Sequence, residues 1–182
     1  MGTDKAFLRI GESSMIERVV DSLRAACADV VVVAKVRASA AYSHLRARVV
    51  DDDVEEQAPL LGLRAGLRAI GTPWAFAASC DLPFLSAPAV LRIADLAAGY
   101  DAAAPRVDSR WHPLHAAYAA TALDAVERVL RGGERRMTSA LAAMRVYEVT
   151  AADLRAVDPA LETLRNINTP EEYAAISGRS RP

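Results

Sequence analysis

The stretch WAFAASCDLPFL, residues 74–85, decides the fold. Its apolar run closes on Cys80 and Asp81, and the chain then turns at Leu82-Pro83. So apolar a run, ended by a turn, reads as a central strand of a parallel sheet covered on both faces. Asp81 is then expected at the carboxyl end of that strand, where open α/β sheets seat their ligands. A carboxylate there can hold a divalent cation against a phosphate.

The sequence on either side of this stretch supplies a βαβ frame. Upstream, Ser14 to Glu17 fits a capping box opening a helix, with Ile16, Val19, Val20, Leu23 and Cys27 on its apolar face. Residues 30–34 read as a second covered strand, 40–46 as a short helix, and Val49-Val50 as a brief strand ending in Asp51-Asp52-Asp53. A helix with Leu60, Leu63, Leu67 and Ile70 inward then leads into the central strand. Downstream, residues 88–98 form a helix between Ser86 and Gly99. Segments 101–107 and 111–119 are separated by three residues and therefore form an antiparallel hairpin. A helix at 123–130 stops at Gly132-Gly133, and a short helix at 137–144 and a strand at 145–149 follow. Thr169-Pro170-Glu171-Glu172 is a second capping box, with proline at the first helical position. The expected class is α/β: a Rossmann-like three-layer sandwich around a mostly parallel, partly mixed sheet. A single domain is expected over 1–177, with 178–182 a flexible tail.

Composition narrows the function classes. The chain has 182 residues, is 52% hydrophobic and 25% charged, and carries a formal net charge of -1. That charge offers no basic field, so nucleic acid is not an expected partner. No stretch approaches the ~20 apolar residues of a membrane span, and the first residues lack the apolar core of a signal peptide. A cytoplasmic protein is expected. Cys27 and Cys80 make no disulfide framework and read as small buried hydrophobes.

Four places could carry chemistry, each against a plainer reading. Asp81 could bind Mg²⁺ or simply hydrogen-bond its own turn. One aspartate of the 51–53 run could share a crevice with Asp81 if the two strands are neighbours, while the run as a whole reads as a solvated turn. Lys5 can neutralise phosphate as a point charge or be an ordinary surface lysine. Gly132-Gly133-Glu134-Arg135-Arg136 is a helix C-cap with solvated charge or an anion-binding arginine pair. His112 and His115, three apart on a strand, face opposite sides and cannot share a metal.

With these residues in place, the chain resembles the molybdenum cofactor guanylyltransferases, within the MobA-like nucleotidyltransferases. The resemblance is collinear throughout. It runs through Met1-Gly2-Thr3-Asp4-Lys5, Ser14 to Glu17, Asp52 and Pro59-Leu60-Leu61-Gly62-Leu63. It continues through Ser79-Cys80-Asp81-Leu82-Pro83-Phe84-Leu85, His112-Pro113-Leu114, Gly133-Glu134-Arg135-Arg136 and Asn166-Ile167-Asn168-Thr169-Pro170-Glu171-Glu172. The resemblance implies transfer of GMP from Mg-GTP to the terminal phosphate of molybdopterin, with release of pyrophosphate. By the same carry-over, Lys5 neutralises phosphate, Asp81 holds Mg²⁺, and Asp52 lies on the guanosine side. Asn168 and Arg135 seat the pterin, and molybdoenzyme maturation proteins are candidate partners.

Two departures stand out. The family pattern places a strand and a Leu-Ala-Gly-Gly-x-Ser-x-Arg loop directly before Met-Gly-x-Asp-Lys, where this sequence begins. The expectation is a start codon assigned downstream of the true one, ahead of a fragment or a genuine short form. For residues 1–182 alone, a gap or bare sheet edge is expected, with low solubility or self-association. Ala34-Lys35 also stands where the family carries an asparagine after the second strand. The rival functions are a related transferase using CTP or a sugar-phosphate acceptor, and a non-catalytic partner in molybdoenzyme assembly.

Overall fold

The computed structural model describes residues 5–35, 38–52 and 58–176. The expected tail at 178–182, the lead at 1–4 and Asp53 lie outside the described residues. A small antiparallel pair, β1 (Arg9–Ile10) and β2 (Ser13–Ser14), precedes α1 (Met15–Arg24). The capping box forms as read: Ser14 accepts from the Glu17 N–H, and the Glu17 carboxylate accepts from the Ser14 N–H at 2.6 Å. Those bonds hold the Glu17 carboxyl below its usual range. Ser14→Ala is expected to cost about 1 kcal/mol, read as a lowered urea midpoint with unchanged slope.

The chain continues through β3 (Val31–Lys35), a single 3-10 turn (Ser39–Tyr42), β4 (Arg48–Asp52), α2 (Pro59–Ala69) and β5 (Trp74–Ala78). The expected helix at 40–46 is only that turn. Ser43 ends it by donating both its N–H and its hydroxyl to the Ala40 carbonyl. Next come α3 (Ala87–Leu96), β6 (Ala102–Val107), β7 (Arg110–Trp111) and β8 (His115–Ala119). The last elements are α4 (Ala122–Arg131), α5 (Met137–Ala142), β9 (Val146–Val149), α6 (Ala151–Arg155) and α7 (Pro170–Ala174).

The hairpin is present, and its tight connection has a local cause. Asp108 and Ser109 have φ of 49° and 63°, the positive values that a two-residue turn between twisted strands demands. β6 pairs antiparallel with β7 and β8, and parallel with β9. Alanines make this sheet thin enough for helices to close on both faces. Ala102, Ala104, Ala116 and Tyr118 meet α2, α4 and α5 on one side. Ala103, Ala117 and Val149 meet Ala89, Ile93 and Leu154 on the other. The α/β three-layer arrangement is therefore as read.

The pairing of the organising strand is not. β5 runs antiparallel to β8, in the register Trp74↔Ala119 to Ala78↔His115. Among the described residues it has no second strand partner, and β3 and β4 form a separate parallel pair. An apolar run reports that both faces are covered but says nothing about which strand lies alongside. Cys80 likewise lies in the turn after β5 rather than inside a buried strand, and both cysteines are half-buried.

Candidate active site

The carboxyl end of β5 is laced to a segment more than eighty residues away. The Ser79 N–H donates to the Leu114 carbonyl, and the chain turns at Cys80-Asp81. There the Asn166 amide donates to Asp81 Oδ1 at 3.1 Å, and the Ile167 N–H donates to the Asp81 carbonyl at 3.0 Å. Farther along the same turn, Arg165 stacks over Phe84 at 5.4 Å, and the Ser86 N–H donates to Thr163 Oγ1. Residues 163–167 thus run beside residues 81–86. Ile167, only 2% exposed, anchors them in a cluster with Ile10, Met15 and Ile176.

Lys5 joins this group from the other end of the chain. Its Nζ donates to the Asn168 carbonyl at 3.0 Å. The Glu172 carboxylate, capping α7, accepts from the Asn168 and Thr169 N–H groups at 2.7 and 3.0 Å. Those bonds, with Arg165 and Lys5 nearby, keep its carboxyl below the usual range. A half-buried carboxylate, an ammonium and an amide are thereby held around one strand end. That combination suits a phosphate ester: an oxygen for a hard cation, a fixed positive charge, and a neutral donor.

The other sequence candidates lie elsewhere. Asp52 ends β4, in register with Lys35. Because β4 pairs with β3 and not with β5, strand adjacency does not bring Asp52 to Asp81. Arg135 caps a helix. α4 ends on Gly133 at φ 86°, with the Gly133 and Glu134 N–H groups returning to the Leu130 and Val129 carbonyls. Arg135 adds guanidinium bonds to the Leu130 and Glu134 carbonyls. It lines a cavity of 370 Å³ with Arg64, Arg68, Glu127 and Arg131, a lining that includes none of Lys5, Asp52, Asp81 or Asn168.

His115 is the chemical outlier of the interior. It is 1% exposed, packs edge-on against Phe76 at 5.4 Å, and has Thr163 Oγ1 3.4 Å from Nε2. Burial, with a smaller contribution from His112, lowers its pKa to about 3, so it is neutral. Burial first, and then Arg110, also lowers the pKa of His112. Sequence reasoning missed Asn166 as the side chain that holds Asp81. The Asn-Ile-Asn repeat offered a signal, because a buried Ile between two asparagines fixes both of their directions.

The three-layer α/β fold is shared with known nucleotidyltransferases, and the chain is an enzyme of that class. Residues 1–147 match the MobA-like NTP transferase domain, and the chain belongs to that family. It is 34% identical to a molybdenum cofactor guanylyltransferase of Desulfosudis oleivorans over 173 residues, 94% of this chain and 84% of that one. Its fold resembles the crystal structure of molybdopterin-guanine dinucleotide biosynthesis protein A from Archaeoglobus fulgidus. The TM-score is 0.83 at 28% identity, covering 97% of this chain and 90% of that one. A 2-C-methyl-D-erythritol 4-phosphate cytidylyltransferase from Thermus thermophilus, 19% identical with a TM-score of 0.74 over 95% of this chain and 92% of its own, shares the fold.

Proposed function

We propose that this enzyme transfers GMP from GTP to molybdopterin and releases pyrophosphate. A terminal phosphate oxygen of molybdopterin attacks the α-phosphorus, a new P–O bond forms, and the bond to the β-phosphate oxygen breaks. Such a displacement needs alignment and charge neutralisation rather than a covalent protein group. The observation that carries the reading is the convergence of Asp81, Lys5 and the Asn166–Asn168 segment at the end of β5.

Asp81 is assigned to hold Mg²⁺. The donor set fits: Mg²⁺ takes one or two carboxylates and leaves its remaining positions to water and phosphate oxygens. When bound, it would neutralise charge on the departing pyrophosphate. Lys5 supplies a second positive charge to the phosphates, and its bond to the Asn168 carbonyl sets where that charge sits. Asp52 is assigned to the guanosine side and Asn168, bonded to Lys5, to the pterin. Arg135 is assigned to the pterin as well, through the separate arginine-lined cavity, which suits an anionic group. A cytoplasmic setting, where both substrates are available, goes with this assignment.

The nucleotide is tested by measuring pyrophosphate release with GTP, CTP, ATP or UTP in the presence of Mg²⁺ and molybdopterin. GTP is expected to exceed the others by at least ~10-fold, a margin that one or two base-edge hydrogen bonds provide. Equal or faster turnover of CTP would reassign the base. Turnover with a sugar phosphate in place of molybdopterin would reassign the acceptor.

A further inference from the structure

Thr163 is 0% exposed, and its hydroxyl lies where three stretches of chain meet. It accepts from the Ser86 N–H at 3.4 Å and stands 3.4 Å from His115 Nε2. A hydroxyl has one proton to give and two lone pairs, so it can serve Ser86 and the imidazole together. The Thr163 N–H donates to the Asp158 carboxylate at 2.7 Å. Just before it, Leu161 is held at φ 54°, a left-handed conformation that a leucine keeps only where its surroundings impose it.

These contacts bracket Asp81 on both sides. Ser86 caps α3 beyond the turn, and His115 is in register with Ala78, the last residue of β5 before it. From Thr163 the chain runs on to Asn166, whose amide donates to Asp81 Oδ1, and to Ile167, whose N–H donates to the Asp81 carbonyl. The bonds close a circuit: β5 to β8 through the sheet, β8 to Thr163 through His115, and Thr163 back to Asp81 through Asn166. Packing alone does not call for a histidine here. Its Nδ1 is buried with no hydrogen-bond partner among the described residues, a cost that an apolar side chain against Phe76 would not carry. What the imidazole adds is Nε2, facing the Thr163 hydroxyl.

We infer that Thr163, backed by His115, is a positioning residue that fixes the 163–168 segment so that Asn166 holds the Asp81 carboxylate in one orientation toward the reacting phosphates. Its action runs through Asn166. The inference rests on the functional assignment of Asp81 and supplies the reason its carboxylate is preset. A carboxylate on a turn is free to rotate, whereas one that accepts from a fixed amide is confined to the rotamer the amide can reach. The same segment brings the Asn168 carbonyl to Lys5 Nζ, so one buried hydroxyl steadies both charges of the site. A misplacement of about 1 Å at reacting groups can cost ~100-fold in rate, so long bonds remote from the chemistry still count.

The test uses Thr163→Val, which replaces the hydroxyl by a methyl of similar shape, and Thr163→Ser, which keeps it. Two quantities are measured on each: exchange of the Ile167 amide, and pyrophosphate release with GTP, Mg²⁺ and molybdopterin. Thr163→Val is expected to speed Ile167 exchange at least ~10-fold while changing that of Ala103, in the sheet interior, less than ~2-fold. Turnover is expected to fall ~10-fold, the low end for a group that supports a metal-holding carboxylate. Thr163→Ser is expected to keep both near the parent values. In an Asp81→Asn background, Thr163→Val should lower turnover by less than ~2-fold more, because the carboxylate it orients is gone. Parent-like turnover or exchange in Thr163→Val would overturn the inference, and so would a Thr163→Ser variant as impaired as Thr163→Val. A full second loss on top of Asp81→Asn, the mark of a purely structural role, would also overturn it. Parent-like turnover in Asp81→Asn would remove the assignment of Asp81 and this inference together. Parent-like turnover in Thr163→Val, with Asp81→Asn impaired, would remove this inference alone.

Discussion

Asp81→Ala is expected to lower pyrophosphate release on the order of 10²–10³-fold while leaving the fold intact. Removing a group that holds charge against a transferring phosphate has effects of that size. Asp81 also holds the Asn166 amide, so the alanine variant loses a structural bond as well. Asp81→Asn separates the two contributions. It keeps an oxygen for Asn166 and removes only the charge. Both variants should lose turnover, and the asparagine variant should melt within a degree or two of the parent. Wild-type rates in Asp81→Asn would mean that Asp81 serves its turn alone.

Acid is expected to weaken the protein through its two neighbouring histidines of lowered pKa, His112 and, most of all, the buried His115. His115 is neutral in the fold, with a pKa of about 3, and regains an ordinary value near 6.5 when the chain unfolds. Its folded pKa is depressed, so the unfolded state binds the extra proton. The associated stability is complete above about pH 6.5 and is lost as pH falls toward 3. The loss approaches ~1.4 kcal/mol per pH unit, or about 2 kcal/mol by pH 5. His115→Gln removes the titration. Between pH 5 and 6.5, above the range in which the bonded carboxyls of Glu17, Asp153 and Glu172 titrate, the variant should have a slope shallower by one proton. Urea midpoints across that window measure it. Parallel slopes would show that His115 reaches water in the folded state.

Features set by neighbouring residues were legible in the sequence. The capping boxes at Ser14 and Thr169, the stop at Gly132-Gly133 and the reversal at Asp108-Ser109 each depend on a few adjacent residues. Helix α2 was legible from Leu60, Leu63 and Leu67 because its apolar stripe repeats at helical spacing. Pairing was harder to read. The run at 74–78 signals covered faces, yet its antiparallel partner lies some forty residues on, at His115–Ala119. No local pattern encodes that choice.

The candidate site divides along the same line. Asp81 stood out because it ends an apolar run and Lys5 as a lone ammonium ahead of an apolar piece, while Asn168 was named through the resemblance. The bond that joins them, from Lys5 Nζ to the Asn168 carbonyl, spans 163 residues. For Asp52 the sequence offers less. An acidic residue after a β-branched strand is a neighbour of Asp81 only if the two strands pair, and β4 pairs with β3 while β5 pairs with β8.

Label transfer tests the central claim most directly. GTP labelled at its α-phosphate is incubated with the protein, Mg²⁺ and molybdopterin, and the label and pyrophosphate are followed together. The expected result is label in a molybdopterin product, with one pyrophosphate released per label transferred, and loss of both in Asp81→Asn. Label released only as free GMP, or transfer undiminished in Asp81→Asn, would contradict it.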